Sequence, residues 1–257
     1  MKKRIVLSFV ASVVMSLPAT AAQVLVLGHS NAPMFTKEGS GREGDVITTV
    51  LERCGHSVKF DLQPFTRHWK SFKAGKGDAV TTVPIGMNLG GTSTAPYFFY
   101  QNGISTLVKN AINANDLGGL SGKRVVAFKG ATNILGDLKS ASKDFAKYRE
   151  TSEQEVQSQL LFMNRVDAVI GDGMIFAEYT KSLQSSSKKQ KFDPNQAVEF
   201  KAIFDPSPRA MTFRDAGLAA DFDRCFAESV ADGAIAKINK KWTDMYRDVL
   251  GSEYLGY

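Results

Sequence analysis

Two distant stretches, GKGDAVTTVPIG and NRVDAVIGDG, carry the same three residues, Asp-Ala-Val, at 78–80 and 167–169. Each follows a polar, helix-like segment, turns at Gly-Lys-Gly or Asn-Arg-Val, and opens a short apolar run with the aspartate. Ala and Val suit a strand buried on both faces. Polar groups emerge where each run ends: Thr81 and Thr82 after the first, Asp172 after the second. A hydroxyl both donates and accepts, and a carboxylate in a closed site is a strong partner for a cation. In open α/β sheets ligands bind outside the carboxyl ends of the strands. Two such ends, facing each other, would hold a small polar molecule between two walls.

The remaining reactive residue types exclude other chemistry. His29, His56 and His68 show no ligand spacing, and the two cysteines stand alone, so neither a zinc site nor any cofactor is expected. The formal charge of +6 is mild and spread out, and three of the positive residues are Lys2, Lys3 and Arg4. It gives no reason to expect nucleic acid as a partner. MKKR followed by the apolar run 5–17 and LPATAAQ has the form of a secretory signal, with cleavage expected after Ala21 or, alternatively, Ala22. No later stretch approaches the roughly 20 apolar residues of a membrane helix. The expected product is exported, periplasmic and monomeric. In an oxidising compartment, Cys54 and Cys225 read as a disulfide, against the alternative of two separate buried thiols.

The elements that would position these residues follow from periodicity. QVLVLGHS begins as a strand. Val46, Ile47, Val50, Leu51 and Cys54 fall at helical spacing, with Gly55 at the C-cap, and HSVKFDLQP alternates as a strand. The cycle restarts at SGKRVVAFKG, continues through the helical SEQEVQSQLLFMN and closes in VDAVIGD. YQNGISTLVKNAIN and VEFKAIFDPSPRAMTF are extended and read as crossings. KSLQSSSKKQK reads as a solvated loop. Two β-α-β-α-β cycles joined by two crossings predict an α/β chain of two lobes, each a mainly parallel sheet flanked by helices. The expected division is 22–106 with 205–257 for one lobe and 107–204 for the other.

The motifs resemble the periplasmic solute-binding proteins of polar amino-acid ABC transporters, the group that includes histidine- and lysine/arginine/ornithine-binding proteins. FKAGKGDAVTTV followed by TSTAPYFF is similar to that family's Gly-x-x-Asp-Ala and Ser-x-Pro-Tyr. LSGKRVVAFKGATN, RVDAVIGD and ADGAIAKINKKW match later signatures in order. The resemblance implies a type II two-lobed clamp, a small-molecule ligand and an inner-membrane permease as partner. It implies that Asp172 pairs with a ligand ammonium, and that Gly130, Ala131, Thr132 and Asn133 offer backbone N–H groups to a ligand carboxylate. Phe35, with Phe128 or Tyr97, would form an aromatic wall. Asp78 and Asp167 would be structural. One departure matters. The family places an Arg, which grips the α-carboxylate, before Ser-x-Pro-Tyr, but VPIGMNLGGTSTAPY contains none, and Met87 falls at the corresponding distance. Arg67, facing the cleft beside Thr82, is the expected replacement. Two other readings share the scaffold: a cyclohexadienyl-dehydratase-like enzyme, disfavoured because no Glu is expected in a cleft segment, and a sensor that docks on a receptor.

Overall fold

The computed structural model describes residues 22–187 and 189–256. The expected signal segment, 1–21, lies outside the described residues. The first cycle runs β1 (Gln23–His29), α1 (Arg42–Arg53), β2 (Ser57–Gln63), α2 (Arg67–Lys73) and β3 (Ala79–Pro84). Two short strands, β4 (Thr92–Ser93) and β5 (Phe98–Tyr100), lead to β6 (Asn102–Leu107). The second cycle runs β7 (Arg124–Phe128), α3 (Ala131–Ile134), α4 (Leu138–Ala141), β8 (Lys147–Thr151), α5 (Gln154–Phe162) and β9 (Ala168–Asp172). The chain continues through α6 (Gly173–Gln184), β10 (Val198–Ala202), β11 (Ser207–Phe213), α7 (Ala216–Ala231), α8 (Ala234–Asp244) and α9 (Arg247–Leu250).

The strands form two sheets, in the orders β2-β1-β3-β11-β4, with β5 also on β11, and β10-β6-β9-β7-β8. In each, the strands of one cycle pair in parallel: β1 with β2 and β3, and β7 with β8 and β9. Antiparallel strands complete both sheets, β11 beside β3, β4 and β5 in one, β6 beside β9 and β10 beside β6 in the other, so the sheets are mixed rather than mainly parallel as expected, because the chain returns through the crossings in the opposite direction. The chain changes sheet at residue 101, so residue 106 lies within β6 of the second sheet. It returns at 203–206, and β11 pairs with β3. After α8 it crosses once more, because α9 packs against β10 and α6.

The helices form where the apolar stripe and caps agree. In α1, Val46, Ile47, Val50 and Leu51 are buried on one face. The helix stops at Cys54. Gly55 (φ +81°) sends its N–H to the Glu52 carbonyl at 2.9 Å, and the His56 N–H reaches the Leu51 carbonyl at 2.9 Å. This reciprocal pair is the Schellman stop, which needs a left-handed residue and so favours Gly.

The same stop explains the repeated phrase. Helix α2 ends with Gly75 (φ +91°) donating to the Phe72 carbonyl and Lys76 to that of Ser71. Helix α5 ends with Asn164 (φ +54°) donating to Leu161 and Arg165 to Leu160. Three residues beyond each left-handed residue stands the aspartate. The Asp78 N–H bonds the Leu25 carbonyl at 2.8 Å, and its carboxylate takes the Leu25 N–H at 2.8 Å. Asp167 does the same with Arg124, at 2.7 Å in both directions. Each aspartate thus locks the entry of its strand to the first strand of its own cycle.

Cys54 and Cys225 are joined by a disulfide with their Cα atoms 5.9 Å apart. It ties the end of α1 to α7 across 171 residues of sequence. In the chain-entropy account a closed loop of that length is worth about 5 kcal/mol.

Candidate functional site

At the carboxyl ends of β1 and β3 lies a fully buried polar cluster around Glu43, in the first turn of α1. One carboxylate oxygen accepts from the Thr82 hydroxyl at 2.7 Å and from Tyr97, whose O–H bond to it is very short. The other faces His29 Nε2 and the Tyr100 O–H, each at 3.3 Å. His29 Nδ1 accepts the Asn31 N–H at 3.2 Å, so Nε2 bears the proton and donates toward Glu43 and Tyr100. Burial pushes the Glu43 carboxyl up, but His29, Tyr97 and Thr82 more than offset it and hold it below the usual range. Burial, followed by the Glu43 charge, raises both phenols well above their ordinary value. Thr82 is buried with φ +59°, a conformation a β-branched residue rarely adopts. It sits in a bulge where Val80–Val83 opposes Ala210–Thr212 with one residue extra. Such bulges re-aim side chains next to functional sites. Here the bulge turns the Thr82 hydroxyl to Glu43.

Exposed apolar side chains follow the ends of β2 and β3. Phe65, just past the end of β2, is 43% exposed and stands edge-on to His29 at 5.4 Å and to Trp69 at 5.1 Å. Ile85 and Met87, just past the end of β3, are 53% and 37% exposed. His68 lies beside Phe65 and is fully buried, with the Thr81 and Pro64 backbone close enough to favour its charged form only weakly. Burial and then the nearby His29 lower its pKa to about 3, so it is neutral near pH 7.

On the second sheet the turn after β7 holds a carboxylate of the protein itself. Glu150, near the end of β8, takes the Gly130 N–H at 2.7 Å on one oxygen. Its other oxygen takes the Thr132 N–H, the Thr132 hydroxyl and the Tyr148 O–H, each at 2.9 Å. Burial raises the Glu150 carboxyl, but these donors outweigh it and keep the group below its ordinary value, hence ionised.

The two lobes meet at a buried seam beside residue 101. Asp172 caps α6: one oxygen accepts Met174 and Ile175 N–H groups at 3.0 and 3.1 Å. The other accepts the Gln101 N–H at 3.0 Å and the Tyr254 O–H at 2.9 Å. Those four donors fill the four lone-pair positions of a carboxylate. Burial nevertheless raises its pKa. From the first lobe, the buried Arg42 guanidinium donates to Tyr254 at 3.3 Å, to Asn239 at 2.9 Å and to the Phe99 carbonyl at 2.9 Å. The carboxyl ends of both sheets therefore converge on one line, Arg42–Tyr254–Asp172.

No protein-family model matches the chain, and no curated protein matches it in sequence. Solved structures do. An ancestral arginine-binding protein bound to glutamine superposes with a TM-score of 0.65 at 23% identity, over 86% of this chain and 97% of that one. The probable amino-acid ABC transporter extracellular-binding protein ytmK from Bacillus subtilis gives 0.68 at 18% identity, over 86% and 98%. A histidine kinase sensor domain with similarity to periplasmic binding proteins gives 0.66 at 17% identity, over 86% and 95%. The fold is that of the type II periplasmic binding proteins. In this fold the expected site residues are distributed unevenly. Thr82 and Tyr97 belong to the buried floor around Glu43, and Phe35 is a core residue packed edge-on to His29 at 5.2 Å. Phe128 is half-buried at the end of β7, and Ala131 is buried. Gly130 and Thr132 are engaged by Glu150, Asn133 is exposed, and Asp172 is engaged by the seam. Arg67 is exposed at the start of α2 and lines a groove with Leu62, Gln63, Ser71 and Lys76. Sequence reasoning missed His29, Glu43, Phe65, Glu150 and Tyr254. Glu150 carried a signal, since it immediately precedes the end of a strand whose neighbour ends in the Gly130 turn.

Proposed function

We propose that this chain is a periplasmic solute-binding protein that closes its two lobes on a small polar solute of the amino-acid kind. It would deliver the solute to an inner-membrane ABC permease. One observation supports the reading: the carboxyl ends of the parallel strands in both mixed sheets converge on a single seam, in a fold whose solved examples include amino-acid binders. The crossings at residues 101 and 203–206 would serve as the hinge, and the exposed Phe65, Ile85 and Met87 would face the solute together with the Gly130 turn. Asp172 then serves the hinge rather than the ligand, because its oxygens are taken. The test is a thermal-shift screen of the purified protein against amino acids, amines, organic acids and neutral solutes. A true ligand at 100 times its Kd adds about 2.7 kcal/mol. If no solute raises the Tm, the proposal fails. A second reading, a sensor that presents the loaded clamp to a receptor, draws on the histidine kinase sensor domain. Co-purification of a permease from membranes with the loaded protein favours delivery, and of a receptor, sensing.

A further inference from the structure

Helix α2 carries the chain from β2 back across β1 to β3, whereas α1 carries it outward from β1 to β2. Right-handed crossovers in opposite directions put the two helices on opposite faces of the sheet. Helices α7 and α8 pack with α1, and α2 packs on β1, β2 and β3. At roughly 100° per residue, the buried His68 and Phe72 and the half-buried Trp69 mark the side of α2 toward the sheet. The opposite side is Arg67, Lys70, Lys73 and Ala74, all exposed. Lys76 follows in the next turn, also exposed. Arg214, just past β11, adds a fifth cation at that end, donating to the Phe72, Lys76 and Gly77 carbonyls at 2.6, 2.8 and 2.7 Å.

No acidic residue occurs between Asp61 and Asp78. Asp61 accepts from the Gln63 amide at 2.8 Å, and Asp78 from the Leu25 N–H at 2.8 Å. Among the described residues none of the five cations is in an ion pair. Like charges one turn apart disfavour a helix, so α2 itself gains nothing from this face. Beside it, Arg67 and Lys76 line a groove of about 330 Å³ with Leu62, Gln63, Pro64 and Ser71, and no carboxylate lines it. The Ser71 hydroxyl donates to Gln63 at 2.7 Å, so the two cations are what the groove offers an incoming anion.

The residue types decide between two kinds of anionic partner. Lys and Ala are depleted at protein–protein interfaces. Four or more Lys and Arg on an amphipathic helix are instead drawn to anionic lipid, each strengthening binding about fivefold. Among the described residues no helix is long and apolar enough to cross a membrane, so contact with a bilayer would be at its surface. We infer that the outer face of α2 docks on the headgroups of an anionic membrane, with a lipid phosphate in the groove lined by Arg67 and Lys76. This goes beyond the solute-binding reading and does not depend on the solute.

Co-sedimentation with vesicles of phosphatidylglycerol or phosphatidylcholine tests it. The protein is used from residue 22 onward, the part that forms both sheets, so that the basic residues 2–4 do not contribute. It should bind the anionic vesicles at least tenfold more tightly than the neutral ones. That preference should vanish between about 0.1 M and about 1 M salt, as the screening length falls from about 10 Å to about 3 Å. Lys70→Gln with Lys73→Gln keeps good helix formers and should weaken anionic binding at least tenfold. Lys189→Gln with Lys191→Gln removes the same charge from exposed positions between α6 and β10 and should leave binding nearly unchanged. Should the first pair not fold by circular dichroism, Lys70→Gln alone should cost about fivefold. Equal losses in the two double variants would reduce the effect to net charge and overturn the assignment. So would equal binding to both vesicle types, or none to either. Binding to poly-glutamate without binding to vesicles would give the face to an acidic protein segment instead. None of these readouts involves a solute, so the solute-binding reading stands or falls separately.

Discussion

At the scale of single residues, the unusual feature is the polar floor, in which a carboxylate and two imidazoles are all buried. Glu43 has four donors directed at it, and its ionised form is favoured. His68 is buried beside His29, which outweighs the backbone of Thr81 and Pro64, and it stays neutral. The sign of the His68 effect is fixed by which state takes the proton. An unfolded histidine protonates near 6.5, whereas the folded His68 does so only near 3. Between those values the unfolded chain binds a proton that the folded one refuses, so stability falls as pH drops. The full contribution is present above about pH 6.5, and the slope from one such group is about 1.4 kcal/mol per unit. Unfolding by urea at pH 7 and pH 5 should show this loss, and His68→Phe should flatten it. The ring-sized replacement keeps the contacts with Phe65, Trp69 and His29. An equal slope in the variant would assign the acid sensitivity to another group.

At the scale of elements, the repeated phrase is a complete device: helix, left-handed stop, three residues, aspartate, strand. Its function as scaffolding was legible because each part has a local chemical reason. Gly75 and Asn164 accept positive φ, Asp accepts a backbone N–H, and Ala and Val fit a covered strand. The expected helices and strands of both cycles were legible for the same reason, since the apolar stripe of α1 and the short runs of β7 and β9 repeat at the element's own period. The roles of the polar residues beyond the phrase were not legible. Asp172 was expected to meet a ligand ammonium, and the four donors it accepts were not legible because they come from residues 101, 174, 175 and 254, two of them remote in sequence. Glu43 reads as an ordinary acidic helix start, and it is the approach of His29, Thr82, Tyr97 and Tyr100 in the fold that encloses it. The device makes a prediction of its own. Asp78→Ala should deprotect the Leu25 amide to hydrogen exchange, and Asp167→Ala the Arg124 amide, each at a cost of about 1–2 kcal/mol in global stability. Asp167 should cost more, because it also takes the Arg124 guanidinium at 2.7 and 3.0 Å. Ligand affinity should be unchanged in both. Loss of binding without loss of amide protection would place the aspartates in the site instead.

At the scale of the whole molecule, the two lobes are joined by more than their crossings. The segment after α8 leaves the first lobe, lays α9 on β10 and α6, and delivers Tyr254 into the seam. The Tyr254 ring lies 6.4 Å from Phe200 of the second sheet, and its hydroxyl donates to Asp172 of that sheet while accepting from Arg42 of the first lobe. Arg42 is a buried cation whose guanidinium also lies 4.2 Å over the Phe98 ring, so it is held on the first-lobe side by its other contacts. One hydroxyl thereby links a buried anion in one lobe to a buried cation in the other. Removing it leaves both buried charges with one partner fewer, and buried groups that lose a charge-assisted partner cost about 1.5–3 kcal/mol. Tyr254→Phe keeps the ring packing and deletes only this link. Its unfolding free energy should fall by roughly 2 kcal/mol, the middle of that range, with the circular dichroism spectrum unchanged. The loss should shrink as the pH is lowered, because burial raises the Asp172 pKa and a protonated carboxyl needs the donor less. If Tyr254→Phe is as stable as the parent protein at every pH, the hydroxyl does not bridge the lobes and the crossings at 101 and 203–206 alone set their relation.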